Sequence, residues 1–207
     1  EDGFEQITDY KKAEKVLDQA KESTCVGAVI FQNTENVLPL FANEAAIGGI
    51  GLCFDEEHAY CIEVTEQITK EFLLEKLSKL NESCGRFVMF DIKEAMKWLP
   101  IKNQKHCFDA TVAAYLLNPL KNDYTYEDVA REQLNIVIEE KSEAYVKVCY
   151  EAYTAFKSSD LLYKKLEETQ MLHLFEDIEM PLVFTLYDME RNGIRAEGEA
   201  LKVYSSQ

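Results

Sequence analysis

The apolar positions of this chain change period part-way along it. Residues 9–21 place Tyr10, Ala13, Val16, Leu17 and Ala20 on one face of a predicted helix. Cys25 to Phe31 is an unbroken apolar run bounded by polar residues, the pattern of a buried strand. Ile47 to Phe54 and Ala59 to Val64 predict two further strands, joined by the polar hairpin turn Asp55-Glu56-Glu57-His58. A helix over 66–80 follows, and Arg86 to Phe90 returns as a fourth strand.

Beyond that point the pattern is helical. Asp91 to Leu99 predicts one helix, closed by Pro100. Asp109 is placed to cap the helix that starts at Ala110 and stops at Asn118-Pro119. Thr125 and Asp128 form a capping box ahead of a helix through Leu134. Another helix spans 141–156, and the last lies between 160 and 192 with a break at Pro181. Strands first and helices after predict an α/β domain with a mixed sheet of three to five strands. In the last helix Ile178, Leu182, Leu186 and Met189 recur at helical spacing and form an apolar stripe. Asn192-Gly193 predicts a left-handed cap, with Ile194 folding back onto the last turn. A strong helix so close to the last residue is expected to open a further domain, and the chain to be part of a larger protein.

Composition narrows the classes. With 207 residues, 47% of them hydrophobic, the chain is long enough for one sizeable domain and an appendage. No apolar run approaches a membrane span, and the opening Glu1-Asp2-Gly3-Phe4 is no signal peptide. The six cysteines form no Cys-x-x-Cys pair and, with three histidines, no zinc-like spacing. They read as reduced, buried thiols of a cytoplasmic protein. A net charge of −16 argues against a free-standing sequence-specific DNA binder, whose phosphate contacts need clustered Lys and Arg. The richest positive stretch, Lys97 to Lys105, is short.

Two blocks carry a resemblance. Phe108-Asp-Ala-Thr-Val-Ala-Ala-Tyr-Leu-Leu-Asn-Pro119 is similar to wording in the 3′–5′ exonuclease-type domain of the bacterial family A DNA polymerases. The segment from Phe175-Glu-Asp-Ile-Glu-Met-Pro-Leu182 to Arg191-Asn-Gly-Ile194 resembles the opening helix of their polymerase region. The resemblance covers residues 4–207 and implies a ribonuclease H-like α/β/α exonuclease fold with a mixed sheet, followed by a C-terminal helix of the next domain. It divides the chain into an exonuclease-like domain, 1–173, and the truncated start of the polymerase thumb region, 174–207.

The chemistry that the resemblance implies is two-metal phosphodiester hydrolysis. Two divalent ions about 3.5–4 Å apart bracket the scissile phosphate, and hard ions such as magnesium or manganese need several converging carboxylates. The family supplies them as Asp-x-Glu after the first strand, an aromatic-Asp pair, and Tyr-x-x-x-Asp on a late helix. Here the first motif falls on Asn33 and Glu35, the second on Phe90-Asp91, and the third on Tyr145 and Cys149. Asn33 is neutral, and Cys149 is a soft ligand poorly suited to magnesium. The expected site is therefore vestigial, with Asn33, Glu35, Asp91, Tyr145 and Cys149 as its positions, no confident catalytic residue and no metal or cofactor expected.

Each of these residues has a plainer reading. Asp91, between a strand and a helix, is an N-cap; Glu35 is a solvated loop residue; Cys149 is a packed thiol. His58, His106 and His173 have no nucleophile partner at motif spacing. The tyrosines 115, 124, 126, 145, 150 and 153 are better explained as packing than as base-stacking platforms.

The leading expectation is a structural module: a degenerate, inactive 3′–5′ exonuclease-like domain of a DNA polymerase I. Its partners would be the polymerase domain of the same chain and, through the parent enzyme, DNA. The parent would be bacterial, cytoplasmic and nucleoid-associated, with no membrane contact. The alternative is a weak metal-dependent exonuclease using Glu35, Asp91 and some of Glu139, Glu140 or Glu143. A free-standing acidic interaction domain is a third possibility, disfavoured because the stripe on the last helix would then lack a partner.

Overall fold

The computed structural model describes residues 1–33 and 46–205, with side chains described as far as Gly193. Its centre is a mixed sheet of strands β1 (Phe4–Ile7), β2 (Cys25–Gln32), β3 (Ile47–Cys53), β4 (Ala59–Glu63), β5 (Arg86–Met89) and β6 (Cys107–Asp109). Their order across the sheet is β1-β4-β3-β2-β5-β6. The β2-β3 and β3-β4 pairs are antiparallel, and β1-β4, β2-β5 and β5-β6 are parallel. The sheet has six strands among the described residues rather than the expected three to five. The two additions, β1 and β6, are edge strands of four and three residues, too short to show a period of two.

Helices cover both faces, which the strands register by alternation. Val26, Ala28, Ile50, Leu52, Tyr60 and Ile62 join the larger core with helix α1 (Tyr10–Ala20) and helix α2 (Lys70–Ser83). Val29, Cys53, Ala59 and Cys61 face the other way, onto Val148, Cys149 and Ala152. Those residues belong to the longest helix on that side, which is numbered below. The result is the expected three-layer α/β/α arrangement.

After β5 comes the short helix α3 (Ile92–Ala95), followed by turns to Leu99 that mix i→i+3 and i→i+4 bonds, instead of one helix from Asp91 to Leu99. Helix α4 (Ala110–Leu117) starts from its Asp109 cap and α5 (Tyr126–Leu134) from the predicted capping box. Helix α6 (Ala144–Glu168) runs well past Phe156, where the polar run from Lys157 to Asp160 looks like an end. Ser158 and Ser159 are instead fully buried, and the Ser159 hydroxyl donates to the Phe156 carbonyl. Its backbone passes so close to β2 that a Cβ on Gly27 would lie 2.3 Å from the Ala152 oxygen. Glycine is thus what lets α6 lie flat on the sheet centre.

α6 ends at a left-handed Gln170 (φ 59°), with the Met171 N–H reaching back to the Leu166 oxygen. A single turn, α7 (Leu172–Leu174), and a π-helical turn at Phe175–Glu179 lead into α8 (Met180–Ser205). The wide π turn sits just before Pro181, whose ring clashes with the carbonyl four residues back in an ordinary α-helix. α8 passes straight through Asn192-Gly193, so no left-handed cap forms there. Its buried side is Met180, Val183 and Phe184, and the hydroxyl of half-buried Tyr187 donates to the Met96 oxygen at 3.1 Å. The predicted stripe faces outward instead: Ile178, Leu182, Leu186 and Met189 are all at least 40% exposed.

Candidate functional site

The parallel neighbours β2 and β5 end side by side, and a cleft of about 200 Å³ opens there. Among the residues lining it are Gln32, Phe90, Asp91, Glu94, Trp98 and Glu151. Crevices at the carboxyl ends of parallel strands are where open α/β sheets ordinarily bind ligands.

Asp91 follows β5 and adopts a left-handed conformation, φ 56° and ψ 69°, which strains a residue bearing a side chain. Two contacts hold it there. Its own carboxylate accepts the Glu94 N–H at 3.3 Å, and the next backbone N–H, of Ile92, donates to Asp109 Oδ2 at 2.9 Å. Asp109 also accepts the N–H groups of Thr111 and Val112 through Oδ1, at 2.9 and 3.2 Å. One buried carboxylate therefore caps α4 and grips the start of α3. Burial pushes its pKa up to about 6, against the opposing pull of those three N–H groups.

Glu151 enters the cleft from α6. Burial, and then the neighbouring Glu127 carboxylate, push its pKa up to about 7. The Tyr126 phenol beside them is raised as well, first by burial and then by Glu127 and Glu151. Its ring lies 6.4 Å from that of Phe90.

The other sequence-predicted positions lie elsewhere. Cys149 is fully buried beneath the sheet, its thiol donating to the Ala59 oxygen at 3.6 Å, and burial raises its pKa to about 12. It is an inert packed thiol and not part of the cleft. Tyr145 packs against the same secondary core. Asn33 follows β2, with its N–H donated to the Ala46 oxygen, and Glu35 lies outside the described residues. Glu139, Glu140 and Glu143 do not line the cleft. Sequence reasoning missed Gln32 and Glu151. Gln32 is one residue before Asn33 and, on a strand, on its opposite side. Glu151 is two residues past Cys149, about 200° around the helix.

Among the described residues, the donor set in the cleft is a neutral amide, the tethered Asp91, an exposed Glu94 and the proton-prone Glu151. Among the described residues no three His, Cys, Asp or Glu side chains converge as metal ligands. A pair of hard divalent ions is poorly served by that set.

No protein-family model matches the chain. It is 32% identical over 173 residues to DNA polymerase I of Bacillus subtilis, covering 72% of this chain and 18% of that protein. With DNA polymerase I of Borreliella burgdorferi it shares 28% over 209 aligned positions, 90% of this chain and 23% of the relative. The chain is DNA polymerase I-like. It spans between 14 and 23% of the length of the curated relatives it matches. Among solved structures, the POL domain of Pol1 from M. smegmatis, in complex with DNA primer-template and dNTP, superposes with a TM-score of 0.67. That match has 18% identity and covers 89% of the DNA polymerase I-like chain and 31% of the other. Brucella melitensis NrnC with bound Mg2+ gives 0.65 at 14% identity, covering 92% of both chains. At such identities the likeness speaks for fold alone, and the fold is the ribonuclease H-like one of exonuclease-type domains. No helix among the described residues is long and apolar enough to cross a membrane.

Proposed function

We propose that this chain is a proofreading-inactive 3′–5′ exonuclease-like domain, residues 1–173, joined to the first helix of a DNA polymerase I polymerase region, residues 174–207. Its work is architectural: it carries and orients the polymerase region, which performs the DNA synthesis. The observation that carries this reading is the cleft between β2 and β5. Two-metal hydrolysis needs several ionised carboxylates converging on two ions. Here Gln32 presents an amide, one oxygen of Asp91 accepts the Glu94 N–H, and Glu151 carries its proton about half the time at pH 7. The apolar stripe from Ile178 to Met189 is the surface against which the polymerase region would pack. DNA would reach the protein through that region, in the bacterial cytoplasm.

The test is a labelled single-stranded DNA incubated with the purified chain and magnesium or manganese. The expected result is no 3′-end trimming above background. Metal-dependent trimming abolished by Asp91→Ala would sink the proposal. The chain alone should also incorporate no nucleotide on a primed template.

One observation favours a second reading, a weak metal-dependent exonuclease. Glu151 adds a third carboxylate to those of Asp91 and Glu94 in the cleft, and magnesium is bound in the structural neighbour NrnC. Under that reading Glu151→Gln abolishes trimming as fully as Asp91→Ala. Activity should then climb with pH through about 7, as Glu151 ionises.

A further inference from the structure

Away from the cleft, three helices bring their C-terminal ends to one place. Asn118 ends α4, Glu132 and Gln133 lie in the last turn of α5, and Glu168 and Thr169 close α6. All five line a hollow of about 250 Å³, together with Tyr124 from the loop between α4 and α5. Tyr124 is buried, and its hydroxyl has no hydrogen-bond partner among the described residues. The Asn118 amide and the Glu132 carboxylate lie near enough to act on that phenol, yet neither sits in bonding geometry with it. A buried hydroxyl left so is costly, which marks the space between the three groups as built for a bound species.

The charge around the hollow narrows what that species is. Each helix end carries partial negative charge from its last carbonyls, and Glu132 and Glu168 add carboxylates. Two lysines stand nearby, but both are engaged elsewhere. Lys165 donates to Gln133 Oε1 at 2.6 Å. Lys121, over the face of the Tyr124 ring, pairs with Asp128 at 2.7 Å and lies 4.0 Å from Glu132. Lys164 reaches Glu168 only at 4.0 Å. The remaining oxygens are neutral. They are the Tyr124 phenol, kept protonated by burial and then by Glu132, the Asn118 amide, and the Thr169 hydroxyl, whose proton goes to the Lys165 carbonyl at 2.7 Å. A divalent ion needs several converging carboxylates, and no three acidic, His or Cys side chains among the described residues offer them. Neutral oxygens beside one carboxylate suit a weakly hydrated monovalent ion, as rings of carbonyl oxygens do.

We propose that this hollow binds one monovalent cation of the potassium class, with the Tyr124 phenol oxygen, the Asn118 amide and the Glu132 carboxylate as its ligands. The ion gives the Tyr124 oxygen the partner it lacks and ties the ends of α4, α5 and α6 together. The site shares no lining residue with the cleft between β2 and β5, so its occupancy is independent of whether that cleft hydrolyses anything.

The test is thermal unfolding of the chain in potassium chloride and in tetramethylammonium chloride at equal ionic strength, which holds general screening fixed. The midpoint should be about 2–4 °C higher in potassium, the shift that a several-fold saturated site gives a chain of this size. Tyr124→Phe should lower the midpoint in potassium only. In tetramethylammonium it merely removes a buried hydroxyl without a partner, and should leave stability unchanged or raise it. Glu132→Gln should abolish the potassium dependence, and Glu140→Gln, outside the hollow, should keep it in full. Equal midpoints of the wild type in the two salts would overturn the proposal. A loss on Tyr124→Phe that is the same in both salts would overturn it too, since it would mean a bound water. So would stabilisation by magnesium in place of potassium, or a potassium dependence that survives both Tyr124→Phe and Glu132→Gln.

Discussion

Asp109 shows how one residue sets the geometry of the candidate site from behind. Its capping of α4 was legible, because an Asp before Ala110-Thr-Val begins a helix by rule. Its second task, holding the Ile92 N–H and with it the left-handed Asp91, was not, since the two residues are far apart in sequence. At the third motif Cys149 is the packed thiol expected, but the residue that reaches the cleft is another. Tyr145-x-x-x-Cys149 has the right spacing, but spacing does not say which side of α6 faces the cleft, and Glu151 is the residue that does. The raised carboxylates give a signed prediction. Asp109 and Glu151 hold their protons more tightly folded than unfolded, so their contribution to stability is greatest below about pH 4. It is lost as pH rises through about 6 and about 7 respectively. Asp128, lowered on balance by its bonds to Lys121, Thr125 and Arg131 against the opposing effect of burial, acts in the opposite sense and gains stability as pH rises above its unfolded value. For Asp109 a shift from 3.8 to about 6 corresponds to at most about 3 kcal/mol. Denaturant unfolding from pH 4 to 7 should therefore show a fall in the wild type to which Asp109 contributes up to that amount and Glu151 adds its own share. Asp109→Asn removes the titration, and its curve should be flatter between pH 4 and 6. Equal slopes in the two proteins would refute the assignment.

At the scale of elements, interior strands and strongly patterned helices were readable, and edges and ends were not. β2, β3 and β4 carry longer apolar or alternating runs and β5 a short, wholly apolar one after Arg86, whereas β1 and β6 acquire their partners only through the fold. The end of α6 was misplaced because Ser158 and Ser159 look polar in sequence yet occupy the small-residue side of a buried helix. Asn192-Gly193 was misread for a related reason. Glycine favours a left-handed cap but does not forbid a helix, and α8 continues through it. A Cβ built on Gly193 meets nothing within 4 Å. Gly193→Ala should then stabilise the chain by roughly 0.5–1 kcal/mol, the ordinary gain of alanine over glycine in a helix interior. A left-handed cap at this position would reverse the sign, so a fall in the unfolding midpoint would contradict the continuous helix.

At the scale of the whole molecule, α8 has two apolar faces, and among the described residues only one of them is covered. Met180, Val183 and Phe184 close over β6 and α3, and the Lys93–Glu190 ion pair at 2.8 Å and the Tyr187 hydroxyl tie the helix down at its rim. Ile178, Leu182, Leu186 and Met189 share the opposite face and remain exposed. Periodicity found this second face and assigned it to a stripe correctly, but it cannot tell which of two apolar faces belongs to the domain in hand. The two faces should respond to mutation in opposite ways. Phe184→Ala removes a buried aromatic and should cost about 3–5 kcal/mol in the chain as it stands. Leu186→Glu with Met189→Glu places charges where solvent already reaches, and should change stability by no more than about 0.5 kcal/mol per site. In a protein that also contains the polymerase region, the same pair should lower the unfolding midpoint and the rate of primer extension together, because it would then bury two carboxylates at an apolar contact. Thermal unfolding of both forms separates the cases. Loss of stability in the 207-residue chain would mean that the stripe is already covered; no loss in the longer protein would mean that the polymerase region packs elsewhere.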